Sequence, residues 1–189
     1  MEKGKRSKKK IEASIELKEG VLASVQRGVL ALKGPKGENK RNFFDKSVSL
    51  SLKGSVIVLS AISGNGSREK MKIGSYKAHI KNMLKGVTEG FNYRLRICSG
   101  HFPITVSISS ANELSVQNFL GEKIPRKMKI LTGAKVKIDG QEITVEGVDI
   151  EVVSHTAASI EQLTRISNRD RRVFQDGCYI IAKDDKEIN

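Results

Sequence analysis

The sequence has no tryptophan, only two cysteines and no long apolar run. A membrane-spanning helix needs about 18 consecutive apolar residues, and no apolar signal segment follows the Lys-rich start. We therefore expect a soluble protein that is not secreted. Cys98 and Cys178 lie far apart in the sequence, which excludes a disulfide framework and fits a reducing compartment.

Acidic residues are outnumbered by basic ones. The chain of 189 residues contains 34 Lys and Arg but 21 Asp and Glu, a formal net charge of +13. Such a surplus predicts attraction to a polyanion and does not bear on the fold. Nucleic acid is favoured over an anionic membrane because no spanning segment is present. The length suits two small domains, each able to bury a core.

Aromatic residues are also few, and this selects the mode of nucleic-acid binding. A platform for single strands needs exposed aromatic rings beside cations. The six Phe and three Tyr mostly alternate with other apolar residues, which predicts core positions for most of them. The sequence therefore favours recognition of folded RNA through its shape and phosphates.

The first ten residues, Met1 to Lys10, hold six basic side chains, one acid and one apolar residue. Such a segment cannot offset the entropy lost on ordering, so we expect it to be disordered when free. Two interpretations remain open: a solubilising tail, and an arm that becomes ordered against phosphates.

Hydrophobic periodicity predicts the architecture. Residues 11–62 alternate with a period of two between glycines, which indicates antiparallel strands. From Ser75 to Val87 the apolar spacing becomes three and four, which indicates a helix ending near Gly90. The same succession then repeats, with a second helix expected to begin at Ser154 as its N-cap.

We therefore predict an α+β protein with two similar tandem domains, each an antiparallel sheet packed with one main helix. The predicted boundaries are a basic tail over 1–10, a first domain over 11–88, a second, mainly RNA-binding domain over 89–181, and a frayed end over 182–189. Residues Leu32 to Gly37 of the first copy correspond to Phe119 to Lys123 of the second.

Two features of the first copy allow more than one interpretation. Gly34-Pro35-Lys36-Gly37 predicts a turn, and a phosphate-binding loop is disfavoured because the Gly-Lys-Ser or Gly-Lys-Thr ending is missing. Three lysines, Lys77, Lys81 and Lys85, share one helix face. This lysine stripe either is solvated or contacts phosphates.

Candidates for catalysis or metal binding are weak. His101 lies three residues after Cys98, but two ligands do not make a zinc site. Ser154 beside His155 is better explained as a helix cap than as a nucleophile with its base. Five acids form a local patch: Asp139, Glu142, Glu146, Asp149 and Glu151. This patch either is a solvated surface that balances the cations or is a carboxylate metal site. We expect no catalytic residue, no metal and no cofactor.

The candidate RNA contacts come from two basic segments. Residues 121–137 carry six basic side chains against one acid, while four apolar residues take core positions, Ile124, Met128, Ile130 and Val136. This predicts a strand with one buried and one cationic side. Residues 168–172 form the second segment. The predicted phosphate contacts are Lys123, Arg126, Lys127, Lys129, Arg169, Arg171 and Arg172.

Specific strings accompany these cations. His101-Phe102-Pro103-Ile104, the run Asn118 to Lys123, the run Asp149 to Ser154, and Arg172 to Gly177 resemble the large-subunit ribosomal protein six family, called protein nine in eukaryotic cytosolic ribosomes, in its archaeal and eukaryotic branch. The resemblance covers nearly the whole chain beyond Lys10.

This resemblance implies two similar α+β domains and no catalysis. It also implies binding to large-subunit rRNA near the sarcin-ricin loop and the stalk base, with neighbouring ribosomal proteins as partners, and a cytoplasmic location in the ribosome. No membrane and no small-molecule substrate are expected. Two alternatives remain open: an RNA-processing enzyme, and a free-standing chaperone that binds double-stranded RNA.

Overall fold

The computed structural model describes residues 11–62, 66–109, 111–184 and 186–188. The chain forms two compact units, Met1–Glu89 and Gly90–Asn189. The predicted basic tail lies outside the described residues. Within the described ranges, neither helix is long and apolar enough to cross a membrane.

The first unit contains two antiparallel sheets and one helix. Its elements are β1 (Glu12–Glu16), β2 (Leu22–Gln26), β3 (Val29–Gly34), β4 (Gly37–Asn42), β5 (Val48–Lys53), β6 (Val56–Ala61) and α1 (Ser67–Thr88). One sheet has the order β1-β6-β5 and the other β2-β3-β4. The period of two thus predicted the strands correctly, but the single sheet expected for this copy is divided into two.

Helix α1 begins eight residues before the predicted Ser75. Its first two turns are mostly polar, with Ile73 as their buried apolar residue, so the apolar spacing becomes visible only afterwards. The predicted inner face is confirmed, since Ile80, Met83, Leu84 and Val87 are buried. The helix ends as expected before Gly90, whose φ of 82° favours glycine.

The loop after β4 is attached to α1 through a carboxylate. Asp45 accepts hydrogen bonds from Lys72 at 2.8 Å and from the Tyr76 hydroxyl at 3.2 Å. The hydrogen bond from Lys72, together with those from Ser47, lowers the pKa of Asp45. Tyr76 packs edge-on against Phe43, with ring centroids 5.3 Å apart. This network explains why Tyr76 is only partly buried on the inner face.

The glycine-rich turn between β3 and β4 docks against the end of α1. Gly34 pairs with Gly37, and the Lys36 N–H donates to the Val87 carbonyl at 3.0 Å. A Cβ on Gly34 would lie 2.6 Å from that carbonyl oxygen. The glycine is therefore required for close packing of the turn on the helix, in agreement with the turn interpretation.

The second unit repeats this plan with two additional strands. Its elements are β7 (Phe91–Cys98), β8 (Thr105–Ile108), β9 (Glu113–Gln117), β10 (Arg126–Lys129), β11 (Ala134–Asp139), β12 (Glu142–Gly147), α2 (Ile150–Leu163), β13 (Gly177–Lys183) and β14 (Lys186–Glu187). The sheets have the orders β11-β12-β7-β13-β14 and β10-β9-β8. The predicted α+β class is confirmed, again with two sheets for one helix.

The duplication is visible in the strand orders. The order β5-β6-β1 matches β11-β12-β7, and β2-β3-β4 matches β8-β9-β10, with one helix following in each unit. The corresponding runs predicted from sequence connect β3 to β4 in the first unit and β9 to β10 in the second, the last two strands of the matching sheets. In the first unit this connection is a tight turn. In the second it is the longer segment 118–125, with a 3₁₀ turn at Phe119–Gly121.

The N-cap of helix α2 lies five residues before the predicted cap. Asp149 is the N-cap, and its side chain accepts a hydrogen bond from the Glu151 N–H at 2.9 Å. Ser154 lies inside the helix, where its hydroxyl donates to the Glu151 carbonyl. The prediction of Ser154 as the cap was wrong because Asp149, two residues after the end of β12, accepts from the free N–H groups of the first turn. Ala157 and Ile160 are buried on the inner face of this helix.

The end of the chain is more ordered than predicted. Ala182 and Lys183 belong to β13 and pair with Glu187 and Lys186 of β14. Ala182 is buried, and the Asp184 N–H donates to the Asn92 carbonyl at 2.7 Å. The expected frayed end is therefore wrong for residues 182–184 and 186–187. The backbone of β13 still pairs with β7 at Ala182 and Lys183, after the apolar alternation of the sequence has ended.

Candidate RNA-binding surface

Arg126 connects the first basic segment to the end of α2, from which the chain continues into the second basic segment. This residue is the first of β10, and its guanidinium reaches the end of α2. There it donates to the carbonyl oxygens of Leu163 at 2.8 Å and Arg165 at 3.3 Å. The start of β10 and residues 163–165, which precede the second basic segment, are therefore neighbours in space although they are well separated in sequence.

Arg126 uses most of its hydrogen-bonding capacity inside the protein. Besides the two carbonyls, it forms a two-point contact with the Glu122 carboxylate, with Nε at 2.8 Å. Its Cζ lies 4.3 Å from the ring centroid of the buried Phe119. The hydrogen bonds from Arg126 lower the pKa of Glu122. Four of the five guanidinium donors are thus occupied. Arg126, which was predicted to contact phosphate, therefore links β10 to α2 in this structure.

The other cations of the first segment point to solvent. Burial along β10 alternates, with Arg126 and Met128 partly buried and Lys127 and Lys129 exposed. Lys127 approaches Glu113 at 3.3 Å, whereas Lys129 has no partner among the described residues. Lys123 is exposed in the preceding loop. The prediction of a strand with a cationic side is confirmed for the two lysines of β10.

One predicted core position in this segment is wrong. Ile124 is 81% exposed, while Met128, Ile130 and Val136 pack against the core as expected. Ile124 lies in the loop after the 3₁₀ turn, outside β10. The alternation that identifies an inner face holds only inside a strand, so it does not apply to this residue.

A layered cluster holds the second basic segment. The Arg169 Cζ lies 4.9 Å from the Phe174 ring centroid, and Phe174 lies 4.8 Å from the His101 ring. His101 Nδ1 is 2.8 Å from an oxygen of the fully buried Asp176 carboxylate. Asp176 also accepts from the backbone N–H groups of Gly100 and His101. Burial raises the pKa of Asp176, but these hydrogen bonds outweigh it, and the pKa lies below its ordinary value.

Three of the four strings that resemble the family converge at this cluster. His101 contacts Asp176, and the Asn118 side-chain amide donates to the Pro103 carbonyl at 3.0 Å. The Phe102 ring lies 3.6 Å from the position of a Cβ on Gly121. Three distant parts of the sequence thus form one corner of the second unit. Sequence reasoning considered His101 only for zinc and missed its role with Asp176, although both residues stand in the quoted strings.

Arg171 and Arg172 lie in the connection between α2 and β13. Residues 164–176 form neither a helix nor a strand, so no regular element holds this basic segment. The segment is held instead by Arg126 and by Asp176. Arg172 is almost fully exposed, with its Nε 3.8 Å from Asp170. Arg171 is exposed beside Tyr179.

The acidic patch does not form a metal site in the described part of the chain. There, no group of three His, Cys, Asp or Glu side chains is placed to hold a metal ion. Its members have local partners instead: Glu146 pairs with Lys137 at 3.2 Å, and Asp149 caps α2.

In the first unit, Lys77, Lys81 and Lys85 border a shallow groove between α1 and β1, where Lys18 pairs with Glu89.

Some aromatic residues are more exposed than predicted. Phe44 is 72% exposed, Phe102 41% and Tyr179 39%. Phe91, Tyr93 and Phe119 are buried as expected. Phe44 and Phe102 lie in loops, where alternation does not determine burial, and Tyr179 lies on the exposed side of β13.

Comparison with known proteins agrees with the geometry. The sequence model described as ribosomal protein L6 matches residues 18–90 and 102–177. The large ribosomal subunit protein uL6 of Methanobrevibacter smithii is 41% identical over 174 residues, which cover 92% of this chain and 97% of that protein.

Two further relatives bear the same name. The protein of Desulfurococcus amylolyticus is 42% identical over 175 residues, 92% of this chain and 95% of its own length. That of Saccharolobus solfataricus is 41% identical over 175 residues, 92% of this chain and 96% of its own length. Both the family model and these archaeal relatives confirm the resemblance, and the chain belongs to the ribosomal protein L6 family.

Proposed function

We propose that this chain is a structural component of the large ribosomal subunit that binds large-subunit rRNA near the sarcin-ricin loop and the stalk base, beside neighbouring ribosomal proteins, and supports translation. The relatives named above carry the name of a large-subunit protein. The finer location rests on the family resemblance. The observation that carries the proposal is the joining of two exposed basic segments on one corner of the second unit.

The cations have different roles in this proposal. Lys123, Lys127, Lys129, Arg169, Arg171 and Arg172 are exposed and contact phosphates. Arg126 positions the two segments and supplies little direct contact, because its donors are occupied by Glu122 and by two carbonyls. Ordered cations lose less entropy on binding than those of a free tail, so the second unit dominates the affinity.

Salt dependence tests this proposal. Six phosphate contacts would weaken binding about a thousandfold or more between 50 and 200 mM salt, through release of counterions. The measurement is the dissociation constant of the full chain for isolated large-subunit rRNA over a salt series. An affinity that does not change with salt would contradict phosphate recognition.

Two further measurements separate the remaining alternatives. Incubation of the chain with rRNA and a divalent metal, followed by gel electrophoresis, would show cleavage if the chain were a processing enzyme. Sedimentation of cell extracts through a sucrose gradient should place the chain with large subunits. A chain that remained entirely in the light fractions would favour the free-standing chaperone.

A further inference from the structure

A cleft of about 400 Å³ lies beside the second basic segment, between the end of α2 and the neighbouring strand β13. Its walls combine polar, cationic, apolar and aromatic side chains: Glu161, Gln162, Thr164, Arg165, Ile166, Arg171 and Tyr179. Binding clefts for small organic groups commonly start at about 300 Å³. The cleft is therefore large enough for one nucleotide and too small for a folded segment of protein.

The backbone next to the cleft is not available for pairing with another strand. The Cys178 N–H donates to the Thr164 hydroxyl at 2.9 Å, and the Ile180 N–H donates to a Glu161 carboxylate oxygen at 3.3 Å. Both donors are occupied by side chains from α2 and the residue after it. Addition of a peptide as an extra strand is thus excluded here, so a ligand must be recognised by side chains.

Tyr179 is held in place before any ligand arrives. Its hydroxyl donates to the Asp176 carbonyl at 3.4 Å, and its Cζ lies 3.5 Å from the position of a Cβ on Gly177. The ring is 39% exposed and lines the cleft. Burial raises the pKa of Tyr179 above its ordinary value. A fixed, partly open ring beside cations is the arrangement that stacks nucleic-acid bases.

The charges around the ring suit a phosphate. Arg165 and Arg171 are exposed, and neither side chain forms an ion pair with another described residue. Arg126 occupies the carbonyls of Leu163 and Arg165, so it neutralises the negative end of α2 beside the cleft. Free arginine forks bind phosphate oxygens at two points.

The Glu161 carboxylate favours a ligand with hydrogen-bond donors, whereas the two arginines favour an anion. It is the one acid among the residues that line the cleft, and its Oε1 accepts the Ile180 N–H. Its remaining acceptor capacity suits a donor such as a base amino group or a ribose hydroxyl. A ligand with both a phosphate and such donors matches the cleft better than a simple inorganic anion.

We infer that this cleft binds one unpaired nucleotide of RNA, with the base stacked on Tyr179 and its phosphate held by Arg165 and Arg171. The inference rests on the proposed function, because the nucleotide belongs to the rRNA that the second unit contacts. It adds a stacking contact that phosphate recognition alone does not supply.

The test uses the full chain, isolated large-subunit rRNA and the salt series described above. Tyr179→Leu removes the ring without changing charge, so we expect about tenfold weaker binding at every salt concentration with an unchanged salt slope. Tyr179→Phe keeps the ring and should bind within about twofold of the unsubstituted chain. Arg171→Gln should reduce the salt slope by about one unit.

Phe44→Leu is the matched control, because it removes an exposed ring from the first unit and should leave the affinity unchanged. Circular dichroism would show that each variant is folded. If the unsubstituted chain binds in a salt-dependent way but Tyr179→Leu and Arg171→Gln bind equally well, the cleft inference is wrong and the proposed function stands. If the unsubstituted chain shows no salt dependence, the proposed function itself fails.

Crosslinking gives an independent measurement that needs no variant. Large-subunit rRNA containing 4-thiouridine would be irradiated with the bound chain, and crosslinked peptides would be identified by mass spectrometry. The inference expects crosslinks within residues 161–179. Crosslinks confined to other peptides would overturn it.

Discussion

Replacement of Arg126 separates a positioning role from a direct phosphate contact. In the structure, the Arg126 side chain links Glu122, the end of α2 and the buried Phe119 ring. Arg126→Ala removes all of these contacts at once. We therefore expect a loss of folding stability as well as a loss of RNA affinity, whereas a plain surface cation would change affinity alone.

The magnitude follows from the contacts. Each carbonyl hydrogen bond from the charged guanidinium contributes about 1 kcal/mol after allowance for partial exposure. The ion pair with Glu122, with side chains 27% and 41% exposed, adds about 0.5 kcal/mol. The contact with Phe119 adds about 0.5 kcal/mol. The total, about 2 to 3 kcal/mol, corresponds to a melting temperature lower by about 10 °C for a unit of about 100 residues.

The assay compares thermal unfolding and RNA binding in the same buffers. Lys129→Ala is the matched control, because Lys129 lies on the same strand, is exposed and has no partner among the described residues. It should melt like the unsubstituted chain and reduce the salt slope of rRNA binding by about one unit. Arg126→Lys keeps the charge but lacks the planar guanidinium with its several donors. It should therefore recover less than half of the folding stability lost in Arg126→Ala.

The opposite pattern would refute this reasoning. If Arg126→Ala melted within about 2 °C of the unsubstituted chain and reduced the salt slope by one unit like Lys129→Ala, Arg126 would contact phosphate directly. That is the role predicted from the sequence. Circular dichroism of both variants at the binding temperature ensures that the affinities compare folded proteins.

Three other predictions follow from the same structure. Gly34→Ala should destabilise the chain by about 1 to 3 kcal/mol, because its Cβ would press on a helix carbonyl at 2.6 Å; an unchanged urea midpoint would contradict this. Asp176 has a lowered pKa, so its stabilising contribution is present above the unfolded value of about 3.9 and is lost as pH falls through the folded value; Asp176→Asn should lower stability at pH 7 by about 2 kcal/mol and flatten the acid side of a stability–pH curve. Lys127→Ala combined with Lys129→Ala should weaken rRNA binding more than deletion of residues 1–10, measured at one salt concentration, and the reverse order would make the tail the principal anchor.

Features that depend on near neighbours along the chain could be predicted from the residues alone. Strand alternation, the helix face with Ile80 and Val87, and the turn at Gly34 are local patterns, and the structure contains all three. The strings around His101 and Arg172 were sufficient to identify the family. The cation surplus is likewise a property of composition, and it indicated a polyanionic partner without any knowledge of the fold.

The different roles of the basic residues depend on contacts between distant parts of the chain. Arg126 meets the carbonyls of Leu163 and Arg165 across 37 and 39 residues, and no local period encodes such a contact. The partition of each unit into two sheets is equally non-local, because a period of two shows which side of a strand is buried but not which strand lies beside it. For the same reason the pairing of His101 with Asp176 and the cleft at Tyr179 become visible only once β13 is placed beside β7 and α2.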